Sequence, residues 1–291
     1  MTSPTTWRWL LALAAGVVPA AMAQICTPDD GSWGYAYMVR NQSDLDVIAA
    51  SCTTINGSLI MGVNYTGPFS LPNVRNITSL FRSEALTEPP YHPAPISADL
   101  PDLEFLGDGP WFGDLSTLTN FSAPNLKRVG HEVRLRSVQS VNLASLEEAE
   151  SLRIEGNIDR LQLDTLKRIS EGFVICNSDN CDDKKIPITS LNLSLPSLHT
   201  AGRISIHGRL SNLSVPNLSN ITGTESISQA FELITSGETI NVSLPELIFV
   251  GNDSMVLNGD ITRCKPPLRE GRRDIAKRQY IKVFNMPLQI P

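Results

Sequence analysis

Apolar residues recur along this chain in pairs separated by two positions. In the middle of the chain the second residue of the pair repeats every 20 residues, at Leu126, Leu146 and Leu166. A fixed period of this size is typical of a solenoid, in which each turn buries its apolar side only by stacking on the next turn. We call each apolar pair, with the two residues between, an anchor. The eight anchors are Leu71–Val74, Leu100–Leu103, Ala123–Leu126, Leu143–Leu146, Leu163–Leu166, Leu195–Leu198, Val215–Leu218 and Leu244–Leu247.

The spacing of the anchors predicts the architecture. Successive anchors lie 29, 23, 20, 20, 32, 20 and 29 residues apart, and a step above 20 indicates a loop inserted into one turn, or rung. Between anchors, apolar and polar residues alternate as in short strands, for example at 152–154 before a turn at Gly156 and at 204–206 before a turn at Gly208. Helical periodicity is weak throughout. The pattern predicts a mostly β, right-handed parallel β-solenoid with rungs of about 20 residues.

The two ends of the chain differ from the repeats. Arg8, the apolar run from Trp9 to Ala21 and the small residues at 21–23 predict a signal peptide over residues 1–23, hence export. Residues 24–262 form the predicted solenoid, with 15 Lys/Arg against 28 Asp/Glu, which argues against nucleic acid as a partner. Residues 263–291 carry 8 Lys/Arg against 2 Asp/Glu and are predicted to be a basic, disordered tail.

Five cysteines follow the predicted cleavage site. Because export implies an oxidising route, we expect disulfides. Cys26 with Cys52 would staple the open N-terminal end of the solenoid, and Cys176 with Cys181 would close a small loop. Cys264 is left over and is either free or intermolecular. A zinc site is the alternative, but no second paired Cys/His motif supports it.

Sites for N-linked glycans are dense. An exported chain with this many Asn-x-Ser/Thr sequons is predicted to be heavily N-glycosylated. Several of the sequon asparagines occupy the same position relative to their anchors. Because side chains alternate between the two faces of a strand, these asparagines should point outward and form columns. The eleven sequon asparagines are Asn41, Asn56, Asn64, Asn76, Asn120, Asn192, Asn212, Asn217, Asn220, Asn241 and Asn252.

The motif Cys-Thr-Thr-Ile-Asn-Gly-Ser-Leu-Ile at 52–60, the Leu-Pro-x-Leu anchors and the sequons carry a family resemblance over residues 26–262. The chain resembles the receptor L-domain fold and, more closely, fungal cell-wall organisation glycoproteins of the sporulation-specific and extracellular-mutant type. The resemblance implies a non-enzymatic, secreted or cell-surface protein without cofactor or metal that contributes to wall integrity. Its implied partners are a wall polysaccharide or a cell-surface protein.

The end of the chain departs from that family. Its members usually carry a GPI anchor, whose signal needs an apolar tail. Here the last residues are interrupted by Lys282, Asn285 and Gln289. We therefore expect membrane attachment only if an alternative C-terminus supplies such a signal.

Two other classes remain open. Parallel β-helices include pectin hydrolases and lyases, which need clustered carboxylates at a fixed separation. The adjacent Asp pairs, at 29–30 and 182–183, are predicted to lie in loops beside cysteines, and the histidines are scattered, with His207 read as a lone outward side chain. A leucine-rich-repeat binding module is the other alternative, because residues 152–157 half match its Leu-x-Leu-x-x-Asn core.

Charged pairs follow three successive anchors. They are Lys127–Arg128, Glu147–Glu148 and Lys167–Arg168, and one rung of 20 residues would stack them at about 4.8 Å with alternating sign. Such stacking favours the correct register of the strands. The same stretch has no sequon between Asn120 and Asn192, so we also consider it a candidate partner face on an otherwise glycosylated surface.

Overall fold

The computed structural model describes residues 24–31, 34–85, 92–112, 115–177, 189–223, 229–236, 239–251, 254–259, 261–265 and 280–284. The predicted signal peptide lies outside the described residues. About 55% of the described residues are strand and 5% are helix. The elements are β1 (Ile25–Cys26), β2 (Asp30–Gly31), β3 (Gly34–Val39), α1 (Gln42–Ser51), β4 (Thr54–Ile55), β5 (Ser58–Met61), β6 (Thr66–Ser70), β7 (Asn76–Ser83), β8 (Ala94–Asp99), β9 (Phe105–Phe112), β10 (Asn120–Ser122), β11 (Arg128–Val129), β12 (Glu132–Leu135), β13 (Ser140–Asn142), β14 (Glu148–Ala149), β15 (Ser151–Gly156), β16 (Arg160–Gln162), β17 (Arg168–Asn177), β18 (Leu191–Ser194), β19 (Thr200–Ser214), β20 (Asn220–Ile221), β21 (Phe231–Ser236), β22 (Ile240–Ser243), β23 (Phe249–Val250), β24 (Ser254–Asn258), β25 (Ile261–Lys265) and β26 (Tyr280–Phe284).

The strands coil into a parallel β-solenoid, which confirms the predicted fold class. It has about 8 turns, and the mean rung is about 23 residues because several turns contain insertions. The middle turns keep the predicted period of 20: Phe121 pairs with Val141 and Val141 with Leu161. The ladders form one sheet of 21 strands and a second sheet of five strands, β6, β8, β10, β13 and β16.

In every anchor except Leu71–Val74, the N–H of the last residue donates to the carbonyl of the first, as in a β-turn. The first five anchors lead from the five-stranded sheet into the 21-stranded sheet. In the central anchor the Leu146 N–H donates to the Leu143 carbonyl at 3.0 Å, and the Leu126 N–H bonds the Ala123 carbonyl at 3.1 Å in the turn before. Proline is favoured at the second position of such turns, which explains the recurring Leu-Pro-x-Leu sequence. Both apolar ends of all eight anchors are buried, at 6% exposure or less, so the predicted core positions are confirmed.

The N-terminal end is closed by a disulfide and a helix. Cys26 and Cys52 are bonded, with their Cα atoms 5.7 Å apart, as predicted. Cys26 lies on β1, the first strand of its ladder, and Cys52 caps the C-terminal end of α1. Sequence reasoning missed α1, although its buried residues Leu45, Ile48 and Ala49 have the i, i+3, i+4 spacing of a helix. No helix within the described ranges is long and apolar enough to cross a membrane.

The C-terminal strands extend the ladder beyond residue 262, the predicted limit of the solenoid. β25 pairs with β22, and β26 pairs with β24 through Met255 and Ile281. Two stretches of the predicted tail are therefore strands, and the rest of residues 263–291 lies outside the described residues. Cys264 lies on β25, but its side chain is not among those described. Cys176 is disulfide-bonded, whereas Cys181, its predicted partner, lies outside the described residues.

The predicted turn at Gly208 is wrong. Gly208 lies inside β19, which runs without interruption over 15 residues. Its φ of 112° is in the region that favours glycine, so the strand changes direction there without ending. β19 therefore pairs with β17 and β21 up to Gly208 and Arg209, and with β18 and β22 from Leu210 onwards.

Candidate functional site: a ladder of charged side chains

The predicted charged residues meet on one edge of the solenoid. The N–H of Glu147 donates to the Lys127 carbonyl at 2.8 Å, and the N–H of Lys167 donates to the Glu147 carbonyl at 2.8 Å, so these residues stack on successive rungs. The next residues along the chain, Arg128 and Glu148, pair in register, as do Glu148 and Arg168. Two columns of alternating charge result, and all six residues of the predicted partner face lie in them.

Two further residues belong to this site. Arg75 and Glu104 continue the first column on the two preceding rungs, since the Glu104 N–H donates to the Arg75 carbonyl and the Lys127 N–H to the Glu104 carbonyl. Sequence reasoning missed both because their rungs are longer than 20 residues. The signal was present, since each directly follows its anchor, at Val74 and Leu103. We call the set of Arg75, Glu104, Lys127, Arg128, Glu147, Glu148, Lys167 and Arg168 the charge ladder.

Every carboxylate of the charge ladder forms an ion pair with a cation on a neighbouring rung. The side chains are between 37% and 66% exposed, so the ladder is a surface feature. The N–O distances are 3.8 Å for Arg75–Glu104, 2.8 Å for Lys127–Glu104, 3.2 Å for Arg128–Glu148, 2.7 Å for Lys167–Glu147 and 3.5 Å for Arg168–Glu148.

The ion pairs hold two of these carboxylates in the ionised form. The hydrogen bond from Lys127, and then its charge, lowers the pKa of Glu104. The hydrogen bond and charge of Lys167 lower the pKa of Glu147 in the same way. A general acid needs the opposite shift, a carboxyl pKa raised towards the working pH. These two carboxylates are therefore suited to binding and register rather than to proton transfer.

The second column of the ladder lies between two sequons. Strand pairing places Asn76, Phe105, Arg128, Glu148, Arg168, Thr200 and Asn220 on seven successive rungs of one column. At about 4.8 Å per strand, the two asparagines are about 29 Å apart. Glycans at Asn76 and Asn220 would thus lie at the two ends of the charged stretch.

Other sequons also lie side by side. Asn192 pairs in register with Asn212, and Leu213 pairs with Val242, which brings Asn241 onto the next strand. The Asn212 side-chain N–H donates to the Asn192 side-chain oxygen at 3.2 Å. The predicted outward direction is confirmed here, because both asparagines are exposed and the leucine that follows each is buried.

The described sequons are all open to solvent to some degree. Asn41 caps α1 through its side-chain oxygen, which accepts the Asp44 N–H at 3.1 Å and leaves the side-chain nitrogen free to carry a glycan. Asn252 and the side chain of Asn241 are not described. The exposed sequon asparagines are Asn41, Asn56, Asn64, Asn192, Asn212 and Asn217, and the partly exposed ones are Asn76, Asn120 and Asn220.

One serine–histidine–glutamate cluster warrants comparison with hydrolytic enzymes. Ser205 Oγ lies 3.2 Å from His207 Nε2 and donates to Glu232 Oε2 at 3.1 Å, and the same oxygen is 3.2 Å from His207 Nε2. A catalytic triad needs the serine and the carboxylate on opposite nitrogens of the imidazole ring. Here both contact the same nitrogen, with Arg203 also paired to Glu232 at 3.3 Å. His207 is therefore part of an ionic cluster, which corrects its reading as a lone side chain.

The other candidate chemistry does not gather into a site. Within the described ranges no group of three or more His, Cys, Asp or Glu side chains is placed to hold a metal ion. Asp29 and Asp30 are exposed, and Asp182 and Asp183 lie outside the described residues. His131 contacts Asp108 at 3.4 Å on the surface.

Comparisons with protein-family models, curated proteins and solved structures found no match. The class is therefore defined by the fold and the site. The chain is a parallel β-solenoid whose N-terminal end is closed by a disulfide and whose edge carries a ladder of ion pairs.

Proposed function

We propose that this chain is a non-catalytic, secreted or cell-surface glycoprotein that contributes to the organisation of a fungal cell wall. Its docking face for a wall polysaccharide or cell-surface protein is the charge ladder. The observation that carries the proposal is the position of the second column of the ladder, where Arg128, Glu148 and Arg168 lie between the sequons Asn76 and Asn220. A glycosylated surface that leaves one ordered, charged stretch uncovered directs contact with a partner to that stretch.

The chemistry of the ladder supports binding rather than catalysis. Each carboxylate is paired, and the pKa values of Glu104 and Glu147 are lowered. The parallel ladders fix the spacing of the charges, so little conformational entropy is lost when a partner binds. The Cys26–Cys52 disulfide is in keeping with export through an oxidising compartment.

Charge reversal separates docking from a purely structural role. The variant Glu147→Lys/Glu148→Lys places like charges on three successive rungs, so it should lower the melting temperature slightly and weaken wall association strongly. Inverting the sign of all eight ladder residues restores every ion pair in mirror image. If the ladder docks a partner, the inverted chain regains its thermal stability but does not regain wall association.

The assay is the fraction of secreted chain retained on the wall, and the resistance of the wall to perturbing agents, in a fungal host that lacks the native protein. A control variant, Asp159→Lys/Glu171→Lys, reverses two exposed acidic residues that have no ion pair among the described residues. It should behave as wild type. The docking role would be refuted if the Glu147→Lys/Glu148→Lys chain kept full wall function, or if the fully inverted chain recovered it. The ladder would then serve only to keep the strands in the correct register.

A further inference from the structure

A second row of side chains, away from the charge ladder, combines arginine with tryptophan. Strand pairing places Arg82, Trp111, Arg134 and Arg153 side by side on β7, β9, β12 and β15. The residues next to them along these strands, including Phe81, Phe112 and Leu152, are fully buried, so the four side chains lie on the outer face of the sheet. We call these four residues the arginine–tryptophan row. It spans about 14 Å at the spacing of neighbouring strands.

Arg134 is the unusual member of the row. Arg153 is neutralised by Glu155, whereas Arg134 has no ion pair or hydrogen bond among the described residues, and its Nε atom is buried without a partner. The Nε1–H of Trp111, on the neighbouring strand, is also buried without an acceptor. Like charges directly opposite each other on a sheet are destabilising, and a buried donor without an acceptor costs further free energy. The free protein therefore holds two donors, a cation and an aromatic face in an unfavourable arrangement.

A bound carboxylate would give the partly exposed guanidinium of Arg134 a partner that it lacks among the described residues. A guanidinium binds a carboxylate through two parallel hydrogen bonds, and an indole offers an apolar face against which a ring can pack. Arg134 lies directly beside Trp111, so one ring stacked on the indole could direct a carboxylate towards Arg134. The length of the row exceeds one sugar ring, which favours a polymer over a single small anion.

We propose that the arginine–tryptophan row is a binding site for an acidic polysaccharide whose sugar rings carry carboxylates, a polyuronate. The acidic body of the chain, with 28 Asp/Glu against 15 Lys/Arg in residues 24–262, repels polyanions in general. Binding at this row must therefore come from the local contacts of Arg134 and Trp111, against that repulsion. The site is distinct from the charge ladder, and ligand binding to it can succeed or fail independently of wall docking through that ladder.

The test is titration of the full secreted chain with a polygalacturonate oligomer, followed by calorimetry and by tryptophan fluorescence. The matched probes are the same oligomer with its carboxylates methyl-esterified and a neutral β-glucan oligomer of similar length. We expect binding to the free acid, and at least about tenfold weaker binding to the ester and to the neutral glucan. The fluorescence change should be lost in Trp111→Phe.

Arg134 variants separate a binding role from a structural one. Arg134→Gln should weaken binding about tenfold, and Arg134→Lys, which keeps the charge without the fork, should weaken it severalfold. Because Arg134 has no ion pair or hydrogen bond among the described residues, Arg134→Gln should leave the melting temperature unchanged or raise it. Arg160→Gln, an exposed arginine on the five-stranded sheet, is the control and should bind as wild type.

Several results would overturn the proposal. They are absence of binding to the free acid, equal affinity for the esterified oligomer, or unchanged affinity in both Arg134 variants. Tighter binding of an acidic peptide or a nucleic acid than of the polyuronate, at the same ionic strength, would also overturn it, since the row would then recognise another polyanion. A marked fall in melting temperature in Arg134→Gln and Arg134→Lys would show that Arg134 supports the fold instead.

Discussion

Replacing Glu155 tests how much a buried carboxylate with two ion pairs contributes to the stability of this solenoid. Glu155 follows the inward residue Ile154 on β15, yet its side chain is only 4% exposed. One of its oxygens accepts from Arg136 Nε at 3.0 Å and the other accepts from Arg153 Nε. A single buried carboxylate therefore bridges two guanidiniums, each about one-third exposed.

Glu155→Gln keeps the shape of the side chain and removes the charge that both arginines share. A hydrogen bond to a charged group contributes about 1.5–3 kcal/mol, and breaking a fully buried ion pair costs about 3–5 kcal/mol. Because both arginines can still reach water, we expect a loss of about 2–3 kcal/mol. At about 2–4 °C per kcal/mol for a domain of this size, the melting temperature should fall by roughly 4–12 °C.

Calorimetry at neutral pH measures this fall, with Glu171→Gln as the matched control. Glu171 is exposed and has no ion pair among the described residues, so its variant should melt within about 1 °C of wild type. The effect of Glu155→Gln should also persist at about 1 M salt, because a buried pair is screened much less than a surface pair. An unchanged melting temperature, or an effect that disappears in high salt, would refute the assignment of Glu155 as a buried bridge.

Four further predictions concern the cap, the core, pH and glycans. Replacing Cys26 and Cys52 by serine should cost about 3–4 kcal/mol for a closed loop of 26 residues, and hydrogen exchange should rise first in the N-terminal turn; uniform exchange along the chain would contradict the capping role. Leu146→Ala should cost about 3–5 kcal/mol, and Leu161→Ala, at a partly buried position, clearly less; equal losses in unfolding free energy would contradict the anchor role. The hydrogen bond from His207, opposed by burial, lowers the pKa of Glu232 below its ordinary value of 4.5. A lowered carboxyl pKa stabilises the fold above that value, so the difference in melting temperature between wild type and Glu232→Gln should be largest above about pH 4.5 and close as the pH falls through the folded-state pKa; a constant difference would exclude the linkage. Glycopeptide mapping of the secreted chain should find glycans on the exposed sequon asparagines, and unmodified exposed sequons would remove the shielded surface on which the docking proposal depends.

The repeat itself could be predicted from the sequence because each anchor is a local device. Leu-Pro-x-Leu encodes a β-turn with two buried ends, and four residues suffice to recognise it. The six predicted ladder residues could be identified from the sequence for the same reason, because they directly follow anchors spaced 20 residues apart. The Cys26–Cys52 disulfide followed from the need to close an open end.

The outer face could not be predicted because it depends on register between rungs of unequal length. Arg82, Trp111, Arg134 and Arg153 are separated by 29, 23 and 19 residues, and irregular pairing between β7 and β9 helps to align them. The ionic cluster around Glu232 likewise joins two strands 27 residues apart. Gly208 misled the prediction because glycine with a positive φ occurs in bent strands as well as in turns.

The anchor turns make the solenoid tolerant of insertion. In seven of the eight anchors a hydrogen bond across four residues holds the two buried ends together, so each of these rungs starts its next strand from the same position in the core. A loop inserted between two anchors therefore projects from the side of the solenoid. The rungs above and below it stay aligned. Steps of 20, 23, 29 and 32 residues coexist in this one molecule for that reason. The fold can thus change its surface one rung at a time without disturbing the stacking of its core.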